Sequence, residues 1–566
     1  MTRVADYIAD FIYKQGVKDV FMLSGGGSIY LDDGVARNKN LNYICARNEA
    51  TAPMMAEAYA RLTGNLGVVY VTTGPGGANA VSGLAEAWVD SAPILIISGQ
   101  VEKNRTTFNA RIRGLRTLGI QELNIIDIVS SITKYAAIVN DPDTIRYHLE
   151  KSIYFAKSGR KGPVWLDIPL DVQSAIVDEE KLEMFHHWED KIDSKVLELS
   201  IEKIFELLKN SSRPLIIAGQ GIRMAGAIDD FKKLVERLNI PVIFSRLGQD
   251  ILPFSNKNNF GHGGMHGSRF TGLIMKQSDL IIGLGSRLAI PFVGNNLDGF
   301  SDNAKLAMVD IDEAELKKPG VKIDLAIQAD LKKALPVFLS KLSAINLPDY
   351  SQWLEMCKNY KEKYPLIIPE FKRNLIDLYY FVSRLDALSG QNNIFVNDAG
   401  SSNFVSGQAL KFEKGQREIT SGAFASMGLA IPLAIGCATA DKDKQILAVT
   451  GDGSLELNIQ ELKTMSFYKK NIKLFVINNG GYVSIRNTQD ALCEGRYINS
   501  DQASCNEVLD FQKVAAAFNL PYFNIQNYEE IDSKISEIIS QPGPAFIEVV
   551  CDNKQKIIKP LKIETI

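Results

Sequence analysis

The stretch Ile446-Leu-Ala-Val-Thr-Gly-Asp-Gly-Ser454 is an apolar run that ends in a glycine-rich turn. A second apolar run further along the chain ends in a similar way, with Ile477-Asn-Asn-Gly-Gly-Tyr482. Short runs rich in Val and Ile that stop at turn residues are typical of buried parallel strands. Because the carboxyl ends of neighbouring parallel strands lie at one edge of a sheet, the two turns are expected to meet there.

The residues of these two turns form a candidate metal and phosphate site. Asp452 offers a carboxylate, Asn479 a side-chain carbonyl and Gly481 a main-chain carbonyl, and such oxygen ligands suit Mg²⁺. Glycines let the main chain approach phosphate oxygens and present N–H groups at a helix start. The diphosphate-binding residues predicted in the first turn are Gly451, Gly453 and Ser454. Taken alone, each motif is also an ordinary surface turn.

Taken together, the two turns match the thiamine diphosphate-binding signature, and the chain resembles the family of acetolactate synthases, pyruvate oxidases and 2-keto acid decarboxylases. The resemblance implies thiamine diphosphate and Mg²⁺ as cofactors, and a further diphosphate contact from Asp398-Ala-Gly400-Ser401-Ser402. In that family the pyrimidine and diphosphate halves of the site come from different subunits. A homodimer or homotetramer is therefore implied.

The whole chain repeats a helical stretch, a short apolar strand and a Gly- or Ser-rich turn, which predicts an α/β fold of three doubly wound parallel-sheet domains. Two stretches, Asp178 to Ser194 and Leu347 to Pro369, are predicted connectors. The predicted domains are residues 1–177 for pyrimidine binding, 195–346 as a central Rossmann-like, FAD-type domain, and 370–566 for diphosphate and Mg²⁺. The predicted strands are Asp19 to Met22, Leu66 to Thr72, Ile94 to Ser98, Pro163 to Ile168, Pro214 to Ala218, Leu280 to Gly283, Lys305 to Asp310, Ile394 to Asn397, Ile446 to Thr450, Lys473 to Asn478 and Ala545 to Val550.

The composition is that of a globular protein. The chain has 566 residues, 46% of them hydrophobic and 23% charged, with a formal net charge of -3. This balance gives no electrostatic attraction to nucleic acid or to an anionic membrane. Residues 1–10 lack the apolar stretch of a secretory signal, and no run has the length of a membrane span, so a cytoplasmic protein is expected. The six cysteines are scattered and predict neither a disulfide framework nor a zinc site.

The segment Arg47-Asn-Glu49-Ala50 resembles the glutamate segment of the family. In that family a buried carboxyl bonded to the pyrimidine N1′ promotes the tautomer that removes the thiazolium C2 proton, and burial makes this proton sharing workable. Glu49 is the candidate, and its alternative is an ordinary residue of a first helical turn. By the same resemblance, Met427 is the apolar wedge that bends the cofactor, and the main chain of Ala425 and Met427 holds the pyrimidine edge.

The first glycine turn, Leu23-Ser-Gly-Gly26-Gly-Ser28, bears on the type of reaction. Simple decarboxylases of the family carry an Asp in this turn and an adjacent His pair, which supply the proton that releases an aldehyde. Gly26 stands at the position of that Asp, and the adjacent pair His186 and His187 lies in a predicted connector. Without these donors, decarboxylation of pyruvate followed by carboligation to an acceptor carbonyl is the predicted activity.

The segments Gly99-Gln-Val101 and Gly119-Ile-Gln121-Glu122 resemble acetolactate synthase, in which the glutamine lies beside the reacting centre. Gln121 is therefore a catalytic candidate, as is Gly26, although Ile120 replaces the aromatic residue of the family. The segment between Gln100 and Gly119 is longer than in the family and contains Arg105, Arg111, Arg113 and Arg116. These arginines form either a solvated face or a phosphate-binding surface, because guanidinium forks match phosphate oxygens. The stretch Arg113 to Glu122 also resembles thiamine enzymes of surface-polysaccharide pathways, which add an acetyl unit from pyruvate to a nucleotide-activated keto sugar.

Several glycine turns and acidic strand ends of the central segment lie where acetolactate synthase-like proteins hold FAD. A glycine turn after a strand admits a pyrophosphate, and an Asp at a later strand end binds ribose hydroxyls. The predicted FAD contacts are Gly219, Gly221, Arg287, Asp310 and Asp330. FAD is favoured over an empty or ADP-type domain, and its role is structural if the reaction transfers no net electrons.

Four alternatives stay open on the sequence alone. The acceptor is a second 2-keto acid, as in acetolactate synthase, or the protein is an FAD-dependent pyruvate oxidase, a simple decarboxylase or a non-catalytic paralogue. Residues 104–118 and 485–501 are expected to cover the site. Within the second stretch, Arg486, Asn487 and Gln489 are either candidates for substrate contact or ordinary exposed loop residues.

Overall fold

The computed structural model describes residues 1–187, 194–295, 300–366, 375–413 and 415–561. These residues form three six-stranded sheets in which all neighbouring strands are parallel, as expected for sheets covered by helices on both faces. A two-stranded antiparallel pair, β1 (Thr2–Arg3) with β8 (Ile176–Val177), joins the two ends of the N-terminal domain.

The first sheet belongs to the N-terminal domain. Its strands are β2 (Asp19–Met22), β3 (Asn42–Cys45), β4 (Gly67–Val71), β5 (Ile94–Gln100), β6 (Tyr135–Ile138) and β7 (Val164–Pro169). Their order across the sheet is β3-β2-β4-β5-β7-β6. The helices are α1 (Val4–Lys14), α2 (Ile29–Arg37), α3 (Thr51–Thr63), α4 (Pro75–Val89), α5 (Thr107–Ala110), α6 (Ile125–Val129), α7 (Ile145–Lys157) and α8 (Leu170–Ser174). Every residue of β4 and β5 is buried, so the sheet is covered on both faces.

The second sheet belongs to the central domain. Its strands are β9 (Pro214–Ala218), β10 (Val242–Phe244), β11 (Asn259–His262), β12 (Leu280–Leu284), β13 (Lys305–Asp310) and β14 (Leu325–Gln328). The helices are α9 (Ser194–Lys209), α10 (Gly221–Met224), α11 (Ile228–Leu238), α12 (Thr271–Gln277), α13 (Ile290–Val293), α14 (Glu313–Lys317), α15 (Leu331–Leu342) and α16 (Ser351–Lys363). The strand order, β11-β10-β9-β12-β13-β14, is the order of a Rossmann fold.

The third sheet belongs to the C-terminal domain. Its strands are β15 (Asn393–Asn397), β16 (Arg417–Ile419), β17 (Gln445–Gly451), β18 (Ile472–Asn478), β19 (Tyr522–Ile525) and β20 (Ala545–Val550). The helices are α17 (Leu378–Leu388), α18 (Gly400–Ala409), α19 (Ala430–Ala440), α20 (Asp452–Glu456), α21 (Leu462–Phe467), α22 (Val483–Leu492), α23 (Phe511–Ala517) and α24 (Tyr528–Ser540). The strand order is β16-β15-β17-β18-β20-β19. The prediction of three doubly wound α/β domains is thus confirmed.

Helices α3 and α19 pack against each other and join the N- and C-terminal domains through one hydrophobic core. The two backbones approach closely, since a Cβ built on Gly436 of α19 would lie 2.2 Å from the carbonyl oxygen of Met55 in α3. A larger residue at position 436 would separate the two domains. The relative placement of the two halves of the predicted site therefore depends on this contact.

The second predicted connector is in fact largely helical. Helix α16 buries Trp353, Leu354 and Cys357 in the core of the central domain, and the indole of Trp353 donates a hydrogen bond of 3.0 Å to the carbonyl of Pro214. The stretch looked like a connector because its charged residues lie on the outer face of an amphipathic helix. We therefore propose that the central domain extends through α16, beyond the predicted limit at residue 346. Residues 367–369 of that stretch lie outside the described residues.

All six cysteines are free thiols. Within the described ranges, no helix combines the length and the apolar character that are needed to cross a bilayer.

Candidate active site

The N-terminal half of the site lies at the carboxyl end of β4. The side chain of Thr72 fills the space beside the first glycine turn, so that a Cβ on Gly25 would lie 2.5 Å from the Thr72 Cβ. The main-chain N–H of Gly27 donates to Thr72 Oγ1 at 3.0 Å. Gly26, at the tip of this turn, is exposed, and no atom lies within 4 Å of the position that a Cβ would take there. The turn is held firmly while position 26 itself stays open.

Glu49 and Gln121 flank the first turn of α4. The half-buried Glu49 accepts a hydrogen bond of 3.0 Å from Asn79 Nδ2 on its Oε2, and its Oε1 lies 3.6 Å from the Cβ position of Gly76. The carbonyl oxygen of Gln121 lies 2.0 Å from the Cβ position of Gly74, which has a φ of 60°. The structure therefore brings Gly26, Glu49 and Gln121 to one edge of the first sheet.

The C-terminal half of the site joins the ends of β17 and β18 through Asp452. This carboxylate is 2% exposed and accepts N–H bonds from Gly453 at 2.7 Å, from Asn479 at 3.0 Å and from Gly481 at 2.9 Å. Burial raises the pKa of Asp452, while the three N–H donors act in the opposite direction. The glycine-rich turns that follow β17 and β18 thus meet at one point, as the sequence predicts.

The oxygen atoms at this point fit a hard divalent cation. The carbonyl of Gly481 accepts one hydrogen bond, from Val483 N at 3.0 Å, and keeps a second lone pair. The amide of Asn479 and the carboxylate of Asp452 add two further oxygen donors. In the described part of the chain, no three His, Cys, Asp or Glu side chains cluster in a way that holds a metal, so a cation here depends on amide and main-chain oxygens.

Asp398 has structural hydrogen-bond partners in place of the expected diphosphate contact. Its buried carboxylate accepts hydrogen bonds from the N–H groups of Ala399, Gly428 and Ala430, at 2.8, 3.0 and 3.0 Å. It also accepts bonds from the hydroxyls of Thr450, at 2.9 Å, and Ser454. A carboxylate with five donors has no lone pair left for a diphosphate contact through water or metal. Asp398 instead fixes the loop that carries Met427.

The other predicted diphosphate residues lie at the same sheet edge. Gly400 begins α18 with a φ of 62°, and its Cβ position lies 3.8 Å from the Cβ of Ser484 near the start of α22. The hydroxyl of Ser401 is buried and has no hydrogen-bond partner in the described residues, whereas that of Ser402 donates to Ala399 O at 2.8 Å. The hydroxyl of Ser454 points inward to Asp398. Ser401 is therefore the hydroxyl that is free for a phosphate oxygen.

The segment that carries Ala425 and Met427 is held by α4 of the same chain. Glu86 accepts bonds from the N–H and the hydroxyl of Ser426, at 3.3 and 2.8 Å. One turn further along, Asp90 accepts a bond of 2.7 Å from the N–H of Gly422. Ala425 has a φ of 56°, and its N–H donates to Ser421 Oγ at 2.7 Å. Its N–H is thus engaged within the segment, and its carbonyl is the group available to a ligand.

Helix α4 separates the two halves of the site within one chain. Gly76, beside Glu49, and Glu86, bonded to Ser426, are ten residues apart on this helix. At about 1.5 Å per residue, the separation is roughly 15 Å. Glu49 and the segment that carries Met427 are thus held at opposite ends of α4 within one chain.

A cavity of about 470 Å³ opens between the three domains. Its lining includes four of the predicted FAD contacts, namely Gly221, Arg287, Asp310 and Asp330. It also includes Ala425, which was predicted to hold the pyrimidine. Gly219 lies behind this wall, because its N–H donates to Leu284 O at 3.0 Å and its Cβ position is 2.0 Å from Gly285 O. The N–H of Gly221 is also used, by Gly285 O at 3.1 Å. These glycines permit close backbone packing and do not offer N–H groups to a pyrophosphate.

The three residues proposed to touch substrate after the second turn have structural partners instead. The guanidinium of Arg486 is buried and bonded to main-chain carbonyls. Asn487 Nδ2 donates to Gln555 O at 2.9 Å, and Gln489 is buried against Ser500. The hypothesis of substrate contact is therefore wrong for Arg486. Its helical spacing gave no sign of these carbonyl partners, which come from distant segments.

Three family models match the chain. Residues 2–128 match the N-terminal TPP binding domain of thiamine pyrophosphate enzymes, residues 201–338 the central domain and residues 398–549 the C-terminal TPP binding domain. These matches cover well over half of the chain. The protein therefore belongs to the thiamine pyrophosphate enzyme family, and thiamine diphosphate is the ligand for which the two halves of the site are built.

Within that family the chain is similar to acetolactate synthases. It is 33% identical to the acetolactate synthase large subunit of Lactococcus lactis, over 98% of this chain and 94% of that protein. It is 32% identical to the large subunit of Cyanidium caldarium, over 96% and 92% of the two chains. For isozyme 1 of Escherichia coli the identity is 30%, over 98% and 94%. The resemblance to acetolactate synthase-like enzymes is confirmed.

Proposed function

We propose that this protein decarboxylates pyruvate on thiamine diphosphate and transfers the two-carbon unit to an acceptor carbonyl. The observation that carries the proposal is the joining of Asp452 to Asn479 and Gly481, which sets three oxygen donors at one sheet edge. The full-length similarity to acetolactate synthases supports pyruvate as the donor. When bound, thiamine diphosphate would supply the nucleophilic carbon and the electron sink that decarboxylation of a 2-keto acid requires.

Each half of the site has its own task in this reaction. Asn79 orients Glu49 by donating to Oε2, which leaves Oε1, beside Gly76 of α4, to hold a proton at the pyrimidine N1′. Asp452, Asn479 and Gly481 would hold Mg²⁺, which would neutralise charge on the diphosphate. Ser401 and the start of α18 donate to the remaining phosphate oxygens. Met427 supports the bend of the cofactor.

The separation of Glu49 from Met427 supports sites shared between two chains. Because α4 holds these residues at its two ends, Glu49 of one chain faces the diphosphate half of a second copy. A homodimer is the smallest assembly with complete sites, and a homotetramer repeats the same contact.

The acceptor in this proposal is a nucleotide-activated 4-keto sugar. Arg111, Arg113 and Arg116 are exposed, and in the described ranges none of them forms an ion pair. The base of their loop is fixed by Glu122, which accepts bonds from Thr107 N at 3.0 Å and Leu118 N at 3.2 Å. The loop leads directly into Gln121 at the reacting edge. Unpaired guanidinium groups at this place suit the diphosphate of a nucleotide sugar better than a small keto acid.

FAD is the proposed occupant of the central cavity, in a structural role. Arg287 lines the cavity and donates from Nη1 to Val89 O at 3.0 Å, so its other guanidinium N–H groups are available to a pyrophosphate. The buried hydroxyl of Ser286 has no partner in the described residues and is available as well. Asp310 and Asp330 lie at strand ends on the same cavity and suit ribose hydroxyls. Equilibrium dialysis with FAD is expected to show one bound flavin per chain, and weaker binding for Arg287→Met. Absence of flavin binding by the wild type would remove FAD from the proposal.

Product analysis tests the reaction. Purified protein is incubated with thiamine diphosphate, Mg²⁺, FAD and labelled pyruvate, with and without a nucleotide-linked 4-keto sugar, and products are identified by mass spectrometry. A labelled two-carbon adduct on the sugar is expected. Acetolactate formed regardless of the sugar would return the acceptor to a second keto acid, and product that requires oxygen would indicate an oxidase.

The role of the arginines has its own test in the same assay. Arg113→Ala and Arg116→Ala are expected to raise the KM for the nucleotide sugar and to leave the KM for pyruvate unchanged. Arg105→Ala is the matched control, since this arginine lies on the same segment but pairs with Glu102 at 3.4 Å. Equal effects of all three variants would contradict a diphosphate contact.

A further inference from the structure

Arg486 is a buried cation that is bonded to main-chain carbonyls. It lies in the first turn of α22 and is 8% exposed. Its Nη1 donates to Gly480 O at 2.7 Å and to Ser500 O at 2.5 Å. Its Nη2 donates to Asn479 O at 3.0 Å and to Asn553 O at 3.2 Å. No carboxylate of the described residues lies within ion-pair distance of this guanidinium.

Two of these carbonyls belong to the metal loop, which we define as residues 479–481. Arg486 engages the main-chain carbonyls of Asn479 and Gly480, so these oxygens are directed at the guanidinium. The oxygens of the loop that remain for a cation are the Asn479 side chain and the Gly481 carbonyl. The loop has left-handed backbone at Gly480 and Gly481, with φ of 72° and 100°, so its shape depends on partners outside the loop.

A third carbonyl belongs to the cover segment, which we define as residues 493–505. Ser500 of this segment is fully buried, and its carbonyl accepts bonds from Arg486 and from Tyr482 N, at 2.5 and 3.0 Å. The hydroxyl of Ser500 donates to Gln489 Oε1 at 2.7 Å. The cover segment is thus fastened to the metal loop through Arg486, while its Ile498 is 76% exposed.

A buried guanidinium without a counter-charge is costly unless every donor has an acceptor, and here the acceptors come from three separate segments. The planar fork of Arg bridges several carbonyls at once, which the single ammonium of Lys does not reproduce. Removal of this side chain leaves four carbonyls with fewer partners, those of Asn479 and Ser500 in buried residues, and frees both the metal loop and the cover segment.

We propose that Arg486 is a positioning residue that shapes the metal loop and fastens the cover segment to it, so that Mg²⁺-dependent binding of thiamine diphosphate and the ordering of residues 493–505 are coupled. The proposal rests on the proposed Mg²⁺ and thiamine diphosphate site but not on the identity of the acceptor. Outer partners that orient metal ligands typically change metal affinity by roughly 10- to 100-fold when they are removed.

The test compares Arg486→Lys and Arg486→Met with the matched variants Arg496→Lys and Arg496→Met. Arg496 lies in the cover segment, but its side chain is 70% exposed and pairs with an exposed Glu494. The first measurement is the Mg²⁺ concentration that gives half-saturation of thiamine diphosphate binding. This binding is measured by calorimetry in the absence of substrate. The second measurement is hydrogen exchange across residues 479–505 in the protein without ligands.

Arg486→Met is expected to raise the half-saturating Mg²⁺ concentration about tenfold or more, with Arg486→Lys in between and both Arg496 variants unchanged. Exchange across residues 479–505 is expected to rise in the Arg486 variants, while β9 of the central domain keeps its protection. If β9 also exchanges faster in Arg486→Met, that variant is destabilised as a whole. The Mg²⁺ dependence and the exchange of residues 479–505 are then compared between the wild type and Arg486→Lys. Wild-type Mg²⁺ dependence together with wild-type exchange in the Arg486 variants would overturn the proposal. Failure of the wild type to bind thiamine diphosphate would instead refute the proposed function, and the exchange data would still test Arg486.

Discussion

Glu49 and Ser426 lie at opposite ends of helix α4, the first beside its initial turn and the second bonded to Glu86 near its last turn. A helix of this length is a rigid spacer, because its backbone hydrogen bonds fix the rise per residue. The acidic group and the wedge segment of one chain are therefore kept apart by the fold itself. Under the proposed function, a site that needs both groups takes them from two chains.

Shared sites predict that two inactive variants complement each other. In a hybrid dimer of Glu49→Gln and Asp452→Asn chains, one site contains both substitutions and the other contains neither. Hybrids isolated through two different affinity tags are expected to show about half of the wild-type activity. The homodimer of each variant serves as the control and is expected to be inactive. If each site were built within one chain, the hybrid would be as inactive as the parent variants.

Substitution of Gly26 tests the control of the reaction outcome. The backbone at Gly26 is not left-handed and the space around its Cβ position is open, so an aspartate is accommodated without strain. Gly26→Asp is expected to place a proton donor at the reacting edge and to increase the acetaldehyde released per pyruvate consumed. Coupled reduction of acetaldehyde measures this fraction. Gly26→Asn has the same size without an ionisable proton, and an equal release of acetaldehyde by both variants would contradict the prediction.

Asp398 is expected to be important for stability as well as for cofactor binding. An asparagine at this position accepts hydrogen bonds on one oxygen only, so at least one buried donor of the Met427 loop loses its partner. Asp398→Asn is expected to lower the free energy of unfolding by about 1–3 kcal/mol and to weaken thiamine diphosphate binding. Denaturant unfolding and calorimetry measure the two effects. Asp443→Asn, at an exposed turn, is the control, and unchanged stability of Asp398→Asn would contradict the assignment.

We expect the free energy of unfolding to depend on pH through Asp167. It is fully buried in the first sheet, where Ser98 Oγ and Gln100 Nε2 donate to it at 2.6 and 3.0 Å, and burial raises its pKa from 3.8 to about 7. Between these two values the folded state keeps a proton that the unfolded state has lost. The contribution of Asp167 to the free energy of unfolding is therefore complete below pH 3.8 and is lost as the pH rises through about 7.

Asp167→Asn is expected to flatten this dependence, because the amide stays neutral in both states. Unfolding by denaturant at a series of pH values measures the slope. Asp171→Asn, which changes an exposed aspartate on the next helix, is the control and is expected to keep the wild-type slope. A wild-type slope in Asp167→Asn would assign the pH dependence to another group.

The eleven strands predicted from the sequence are all present, and the strands that the sequence did not predict are mainly the edges of the sheets. The two edge strands of the first sheet, β3 and β6, contain residues that are exposed or half-buried, so they lack the continuous apolar run of a central strand. The remaining central strand, β10, has only three residues and is too short to give a clear pattern.

The candidate site was also only partly predictable from the sequence, but for a different reason. Asp452 and Asn479 follow apolar strands in sequence, so their meeting at one sheet edge is predictable from local pattern. The partners Asn79 and Arg486 gave no such signal, since the groups they bond to are brought near by tertiary packing. Asp398 follows a strand, as predicted. The hydrogen bonds to its carboxylate come from residues that approach it only in the folded protein, such as Gly428, Thr450 and Ser454.

The first and third sheets share one strand order, in which the second strand is followed by the first, third, fourth, sixth and fifth. The two domains are thus internal structural repeats of one topology. Because loops at the carboxyl ends of parallel strands carry ligand contacts, each repeat offers its own residues at the equivalent edge, Glu49 in one and Asp452 in the other. One scaffold therefore serves two unlike ends of the proposed ligand through different loop residues.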